Sequence, residues 1–268
     1  MNREFFHRDP ALPFAECRYS TNSGRHYKPH MHPGFSIGAI DQGEVIYQVN
    51  GQPARLKPGT LALINPEGLH ACNPTRPDKR SYYMLHLTTE WCLKLQQSLW
   101  QTDTFIPVTA IALEDERLYR QYIDLMELMT QKGEVLEKEQ LLAELMGGVF
   151  TRACDHGKKN SHLALDIKSI KQQLRNNLDQ ELTLTQLAEN RQANPYTLLR
   201  QFKRATGLPP HAYRMNCRIE LARQLLQQGM AVSQVALECG FFDQSHFHRH
   251  FKAMTTVTPK EYQVNFIQ

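Results

Sequence analysis

The chain has 268 residues, of which 41% are hydrophobic and 22% charged, with 31 Lys and Arg against 27 Asp and Glu for a formal net charge of +4. That length suits two domains, and so small a positive excess argues against a non-specific architectural binder of nucleic acid, which depends on neutralising many phosphates. No apolar core of signal-peptide length opens the sequence and no uninterrupted apolar run could span a bilayer, so a soluble, cytoplasmic protein is expected. Its six cysteines, Cys17, Cys72, Cys92, Cys154, Cys217 and Cys239, have no C-x-x-C spacing and read as reduced thiols.

From about residue 12 to 107 the chain alternates short apolar stretches with turn residues. Residues 34–40, 45–49, 60–64 and 82–87 are apolar, and between them lie Gly43, Asn50 with Gly51, Pro58 with Gly59, and Asn65 with Pro66 and Gly68. Many short, evenly spaced strands predict an antiparallel β-sandwich or barrel. Two helical stripes follow within about 114–152: Leu118, Tyr122, Leu125, Met126 and Met129, then Leu141, Leu142, Leu145, Met146 and Val149. These helices either pair two copies of the chain or pack on the barrel. Residues 154–162 are polar and read as a linker between a domain at 1–153 and another at 163–268.

The second half repeats itself. Arg200, Phe202, Lys203, Thr206, Pro210 and Tyr213 return 49 positions later as Arg249, Phe251, Lys252, Thr255, Pro259 and Tyr262. Upstream, Leu184, Leu187 and Ala188 are echoed by Val232, Val235 and Ala236. Each copy holds a short helix, a break, and a capping residue, Asn194 or Asp243, opening a second helix. In the first copy Pro195 follows the cap, where its missing N–H costs nothing. This is a helix-turn-helix written twice, at about 182–203 and 232–252. In each second helix Phe202 with Leu198, or Phe251 with Phe247, faces a core, leaving Arg200 and Lys203, or Arg249 and Lys252, off that stripe. Charge agrees: 13 Lys and Arg stand against 8 Asp and Glu from Ser161 onward, and 18 against 19 before it.

On these residues, together with the run Ile219 to Leu226, the phrase Val235 to Phe241 and the close Pro259 to Tyr262, the C-terminal half resembles the double helix-turn-helix domain of the AraC/XylS family of transcription regulators. The resemblance implies a second helix of each unit in a major groove, with Pro210 to about Gln228 as connector and Ala212, Ile219, Ala222, Leu225 and Leu226 as its buried face. By the same resemblance Tyr196, Leu199 and Arg200, and Gln244, Ser245, His248 and Arg249, approach bases, while Lys203 and Lys252 meet phosphates. Two departures stand out: Thr256 occupies the place of Gly207 in the first copy, and the first turn lacks Gly, leaving Asn190 to serve.

Residues 56–70, with Pro58, Gly59, Pro66, Gly68 and His70, resemble the cupin-type sensor domain that precedes the DNA-binding half in many AraC relatives. Gly24, His30 and His32 match the opening of the metal-binding cupin motif, and alternation puts His30 and His32 on one side of an extended strand. The motif's Glu is missing, because Ser36 stands near its place. His30, His32 and His70 therefore either hold a divalent metal or hydrogen-bond an effector at the barrel mouth. The expected fold is α+β in two domains, an N-terminal antiparallel β-barrel followed by helices and an all-α tandem helix-turn-helix. The expected function is a transcription regulator sensing a small molecule, with promoter DNA, a second copy of the chain and RNA polymerase as partners. The alternatives are a metal-sensing regulator or a metal-dependent cupin enzyme.

Overall fold

The computed structural model describes residues 3–24, 26, 29–49, 51–75, 80–155, 166–189, 191–255 and 257–264. Strands come first: β1 (Arg3–His7), β2 (Ala15–Ser23), β3 (Phe35–Gln42), β4 (Val45–Val49), β5 (Gln52–Leu56), β6 (Thr60–Ile64), β7 (His70–Pro74) and β8 (Arg80–Leu87), with a short β9 (Ala112–Glu114) later. They form two antiparallel sheets, ordered β1-β2-β8-β3-β6-β9 and β5-β4-β7. In β4 the two-residue period is plain, since Val45, Tyr47 and Val49 are buried and Ile46 and Gln48 are exposed. Those side chains join Ile40, Leu56, Ala62, Ile64 and Tyr82 in one apolar cluster between the sheets. The Tyr47 hydroxyl crosses it to donate to the Leu63 carbonyl at 2.7 Å.

Strand β6 is buried along its whole length, and β3 for its first six residues. That burial needs cover on both faces, and α2 (Glu116–Met129) supplies the second. Its stripe of Leu118, Tyr122, Leu125, Met126 and Met129 is buried as the sequence predicts. Tyr119 and Tyr122 donate hydroxyl hydrogen bonds to the carbonyls of Ile40 and Ile37. In α3 (Val135–Ala153), Leu142, Leu145, Met146 and Val149 are buried too, whereas Leu141 stays 37% exposed. Both stripes are thus largely spent inside one copy of the chain.

The region read as strands to residue 107 also contains a helix, α1 (Thr89–Trp100). Thr88 caps it by accepting from the Trp91 N–H, and Trp91, Cys92 and Leu95 form its buried face. Helical spacing over so short a run is hard to separate from strand spacing.

By contact density the chain divides into Met1–Gln131 with Leu141–His162, and Lys132–Gln140 with Leu163–Gln268. The second unit therefore takes in the start of α3, which the boundary at 153 does not anticipate. The expected linker at 154–162 lies, beyond residue 155, outside the described residues, as do Asn190 and Thr256. Among its described residues the regular structure of this unit is all helix: α4 (Ile167–Arg175), α5 (Leu184–Glu189), α6 (Pro195–Thr206), α7 (Pro210–Gln227), α8 (Val232–Glu238), α9 (Gln244–Thr255) and α10 (Pro259–Val264). Ile219, Ala222 and Leu226 of the connector α7 are buried as expected, Ala212 and Leu225 only half so.

Two arginines that the apolar pattern does not single out are also buried in α7. Arg214 donates to the carbonyls of Leu174, Asn176, Asn177 and Gln180, satisfying the open end of α4 and the loop after it. Arg218 donates to the Leu178 carbonyl and to Glu134, in an ion pair at 2.6 Å whose side chains are 3% and 8% exposed. Breaking such a buried pair from one side costs far more than the pair itself contributes.

Gly240 closes the turn between α8 and α9 with φ +74°. A Cβ there would lie 2.2 Å from the Leu178 carbonyl oxygen and 2.7 Å from the Asp179 Cα. Both conformation and space thus demand glycine. Gly240→Ala is expected to destabilise the C-terminal unit by about 2–4 kcal/mol, read as a lower urea midpoint by circular dichroism. A midpoint equal to wild type would contradict this packing.

Candidate DNA-binding and ligand-binding sites

The two helix-turn-helix copies match at the level of single contacts. The Asn194 side chain accepts from the N–H groups of Tyr196 and Thr197, and Asp243 accepts from that of His246 at 2.7 Å. At the far ends, Thr206 Oγ1 lies 2.8 Å from the Phe202 carbonyl and 2.7 Å from that of Leu208. Thr255 Oγ1 lies 2.7 Å from the Phe251 carbonyl and 3.0 Å from that of Val257. The repeated Phe and Tyr meet edge to face in both, Phe202 with Tyr213 at 5.5 Å and Phe251 with Tyr262 at 5.4 Å. In the first turn Gln192, at φ +47°, takes the left-handed conformation that Gly240 takes in the second.

Their outer faces differ. On α9, Gln244, Ser245, His248, Arg249 and Lys252 come together with Thr258 around one open surface groove. On α6, Arg200 and Lys203 are exposed, but Tyr196 and Leu199 are only 5% and 3% exposed. The sequence-based assignment of Tyr196 and Leu199 to base contacts is therefore corrected. The apolar stripe of α6 runs through Leu198 and Phe202 and widens to include them, as 100° steps around a helix allow. Two further imidazoles of α9, His246 and His250, meet edge to face at 4.5 Å on the side turned toward the Phe241 ring, and burial pushes His250 down to about 4.

Within the N-terminal sheets lies a cavity of about 100 Å³. Strand β8 contributes Arg80, Tyr82, Met84 and His86, every second residue and hence one face, to its lining, together with Tyr83. Register sets Gly38 opposite both Met84 and Ala62, and two such small residues keep the floor open. His30, His32 and His70 gather at one end, with ring centroids 4.4–5.1 Å apart. Residues 30–32 do not form the expected strand; His30 makes a single β-bridge to His70 instead. His70 Nδ1 lies 2.8 Å from the Gly68 carbonyl, which can only accept, so Nε2 is the nitrogen left with a lone pair.

A fourth imidazole, His86, which the sequence reading overlooks, stands 4.8 Å from His32. Its Nδ1 is 2.8 Å from the hydroxyl of Ser36, the residue standing near the motif's missing Glu. Its signal was the alternation along β8. Burial, opposed by the bond to Gly68, pushes His70 down to about 4, and burial does the same to His86. His70 and His86 are thereby held as neutral donors or acceptors near neutral pH. The ring nitrogens of His30, His32 and His70 all lie within 4.8 Å of one another. A tetrahedral ion with bonds of ~2.1 Å holds its ligand nitrogens ~3.4 Å apart, so side-chain rotation would have to draw them in.

The family comparisons agree with this division. A model described as an AraC-like ligand-binding domain matches residues 13–146, and one described as a helix-turn-helix domain matches 187–265. The HTH-type transcriptional regulator YbfI of Bacillus subtilis is 26% identical over 240 residues, covering 89% of this chain and 87% of its own. The HTH-type transcriptional activator RhaS of Yersinia pestis is 24% identical, with 96% of each chain covered. Among solved structures, ToxT from Vibrio cholerae aligns over 95% of this chain and 98% of its own at 13% identity, with a TM-score of 0.39. YbfI and RhaS are named as transcriptional regulators, and the metalloenzyme alternative is set aside. No described helix is long and apolar enough to cross a membrane. The chain belongs to the AraC/XylS family of DNA-binding transcription regulators, with an N-terminal ligand-binding domain ahead of its tandem helix-turn-helix.

Proposed function

We propose that the cavity between the N-terminal sheets is the effector site, and that α6 and α9 read two different segments of promoter DNA. The observation that carries the DNA assignment is the convergence of Gln244, Ser245, His248, Arg249 and Lys252 on one open face of α9. Arg200 and Arg249 stand for base reading, because a guanidinium pairs bidentately with guanine. Lys203 and Lys252 stand for phosphate contact, which positions the protein without selecting sequence. Action in the cytoplasm accords with the six free thiols, four of them buried. Pairing of two copies and contact with RNA polymerase rest on family membership.

Arg200→Ala and Arg249→Ala are each expected to cost ~1–3 kcal/mol on the specific site and to relax preference at different base pairs. Lys203→Ala should weaken binding to all sequences alike and reduce the salt slope by ~1. Fluorescence anisotropy against matched and base-substituted duplexes measures both. An unchanged sequence preference in the arginine variants would remove them from the reading face.

A second reading, a metal-sensing regulator, is favoured by the mutual approach of the ring nitrogens of His30, His32 and His70. Equilibrium dialysis against zinc, nickel or iron, followed by elemental analysis, is expected to find one ion per chain in the wild type and none in His30→Ala. No stoichiometric metal in the wild type ends that reading.

A further inference from the structure

We infer that the cavity between the N-terminal sheets takes a small organic carboxylate with a short apolar body. The inference rests on the reading of this cavity as the effector site and names the chemical class of its occupant. Two guanidinium groups converge on a single aromatic ring there: Arg18 lies 5.6 Å and Arg80 5.3 Å from the centroid of Tyr82. Arg80 is 1% exposed, and its Nη2 donates to the Cys72 carbonyl at 3.0 Å, so the group is held in place by the strand it faces. Among the described residues that line the cavity there are two arginines and four histidines, and no Asp or Glu. A planar carboxylate meets a guanidinium through paired, charge-assisted hydrogen bonds, whereas a neutral amide or alcohol gains far less.

The rest of the wall is apolar, with Ile40, Leu56 and Ile64 among its residues. That surface suits carbon, not a second charge. Size narrows the class further. The cavity measures about 100 Å³, below the roughly 150 Å³ that accommodates benzene, so a hexose does not fit and a chain of roughly three to five carbons does. A singly charged carboxylate also costs less to desolvate than a doubly charged phosphate. The floor is kept low by Gly38 and Ala62, which are register partners; a Cβ on Gly38 would sit 2.3 Å from the Met84 sulfur.

The test uses the full chain in EDTA, so that no metal contributes, with titration calorimetry and thermal unfolding. The probes are sodium acetate, propionate, butyrate, pyruvate and lactate, with butyramide, inorganic phosphate and sodium chloride at matched ionic strength. The expected result is saturable one-to-one binding of at least one carboxylate, with no binding of butyramide or phosphate. Arg18→Met should weaken it at least tenfold while leaving the unliganded melting temperature unchanged, and Ala62→Leu, which fills the floor, should abolish it. Binding by none of the carboxylates, equal binding of the amide or of phosphate, or unaltered affinity in Arg18→Met would overturn the inference. Should a neutral compound bind instead, be blocked by Ala62→Leu and alter DNA affinity, the effector reading survives and the carboxylate class falls.

Discussion

The C-terminal unit depends on two buried arginines in its connecting helix. Arg214 and Arg218 stand one turn apart on α7 and donate to carbonyls of the segment between Leu174 and Gln180. They thereby close the end of α4 and fix the loop that leads into the first helix-turn-helix. Arg218 also lies against the second: its guanidinium is 6.0 Å from the Phe241 ring, and a Cβ on Gly240 would come 3.0 Å from its Nη2. One side chain thus touches the loop before the first unit and the turn inside the second. Burying such groups is costly unless every donor finds an acceptor, and backbone carbonyls left over at helix ends provide them. The result is a connector of 18 residues, about 27 Å long, whose first half cannot shift against that loop without leaving a buried charge unmatched.

On that connector the repeated phrase becomes two structural copies. Each recognition helix is opened by a side-chain cap, closed by a threonine hydroxyl, and held by a Phe against a Tyr one helix on. The same tyrosines also carry cations on their rings, Arg175 at 5.7 Å over Tyr213 and Arg223 at 5.6 Å over Tyr262. What the copies share is scaffold. What differs is the presented face: α6 offers Arg200 and Lys203 beside a wide apolar stripe, and α9 offers a polar groove.

Much of this was legible in the sequence because it is local. Caps, turn residues and helical stripes are read from neighbours in the chain, so α2, α5, α6, α8, α9 and the strands β3, β4, β6 and β8 follow from spacing, whereas α7 follows from the family resemblance. The buried roles of Arg214 and Arg218 were not legible, since charged residues in a helix read as solvent-facing and their carbonyl acceptors lie 34 to 40 positions away, with Glu134 84 away. Tyr196 and Leu199 were misplaced for a related reason: an apolar residue beside a cationic one fits either face of a helix until its packing is known. His30, His32 and His70 were legible as a set, but His86 and the arginines Arg18 and Arg80 were not. Their convergence depends on strand order, β2 beside β8 beside β3, which alternation does not specify.

An effector in the N-terminal cavity can shift DNA binding only by as much as it prefers the DNA-competent arrangement over its alternative. Whatever the size of that coupling, its output is a reading of DNA by two unlike helices on one fixed connector. Selection of binding sites from random duplexes tests this most directly. The account predicts an asymmetric motif of two dissimilar blocks centred ~10 base pairs apart, one helical turn. A palindromic motif, a single block, or binding without sequence preference would contradict it.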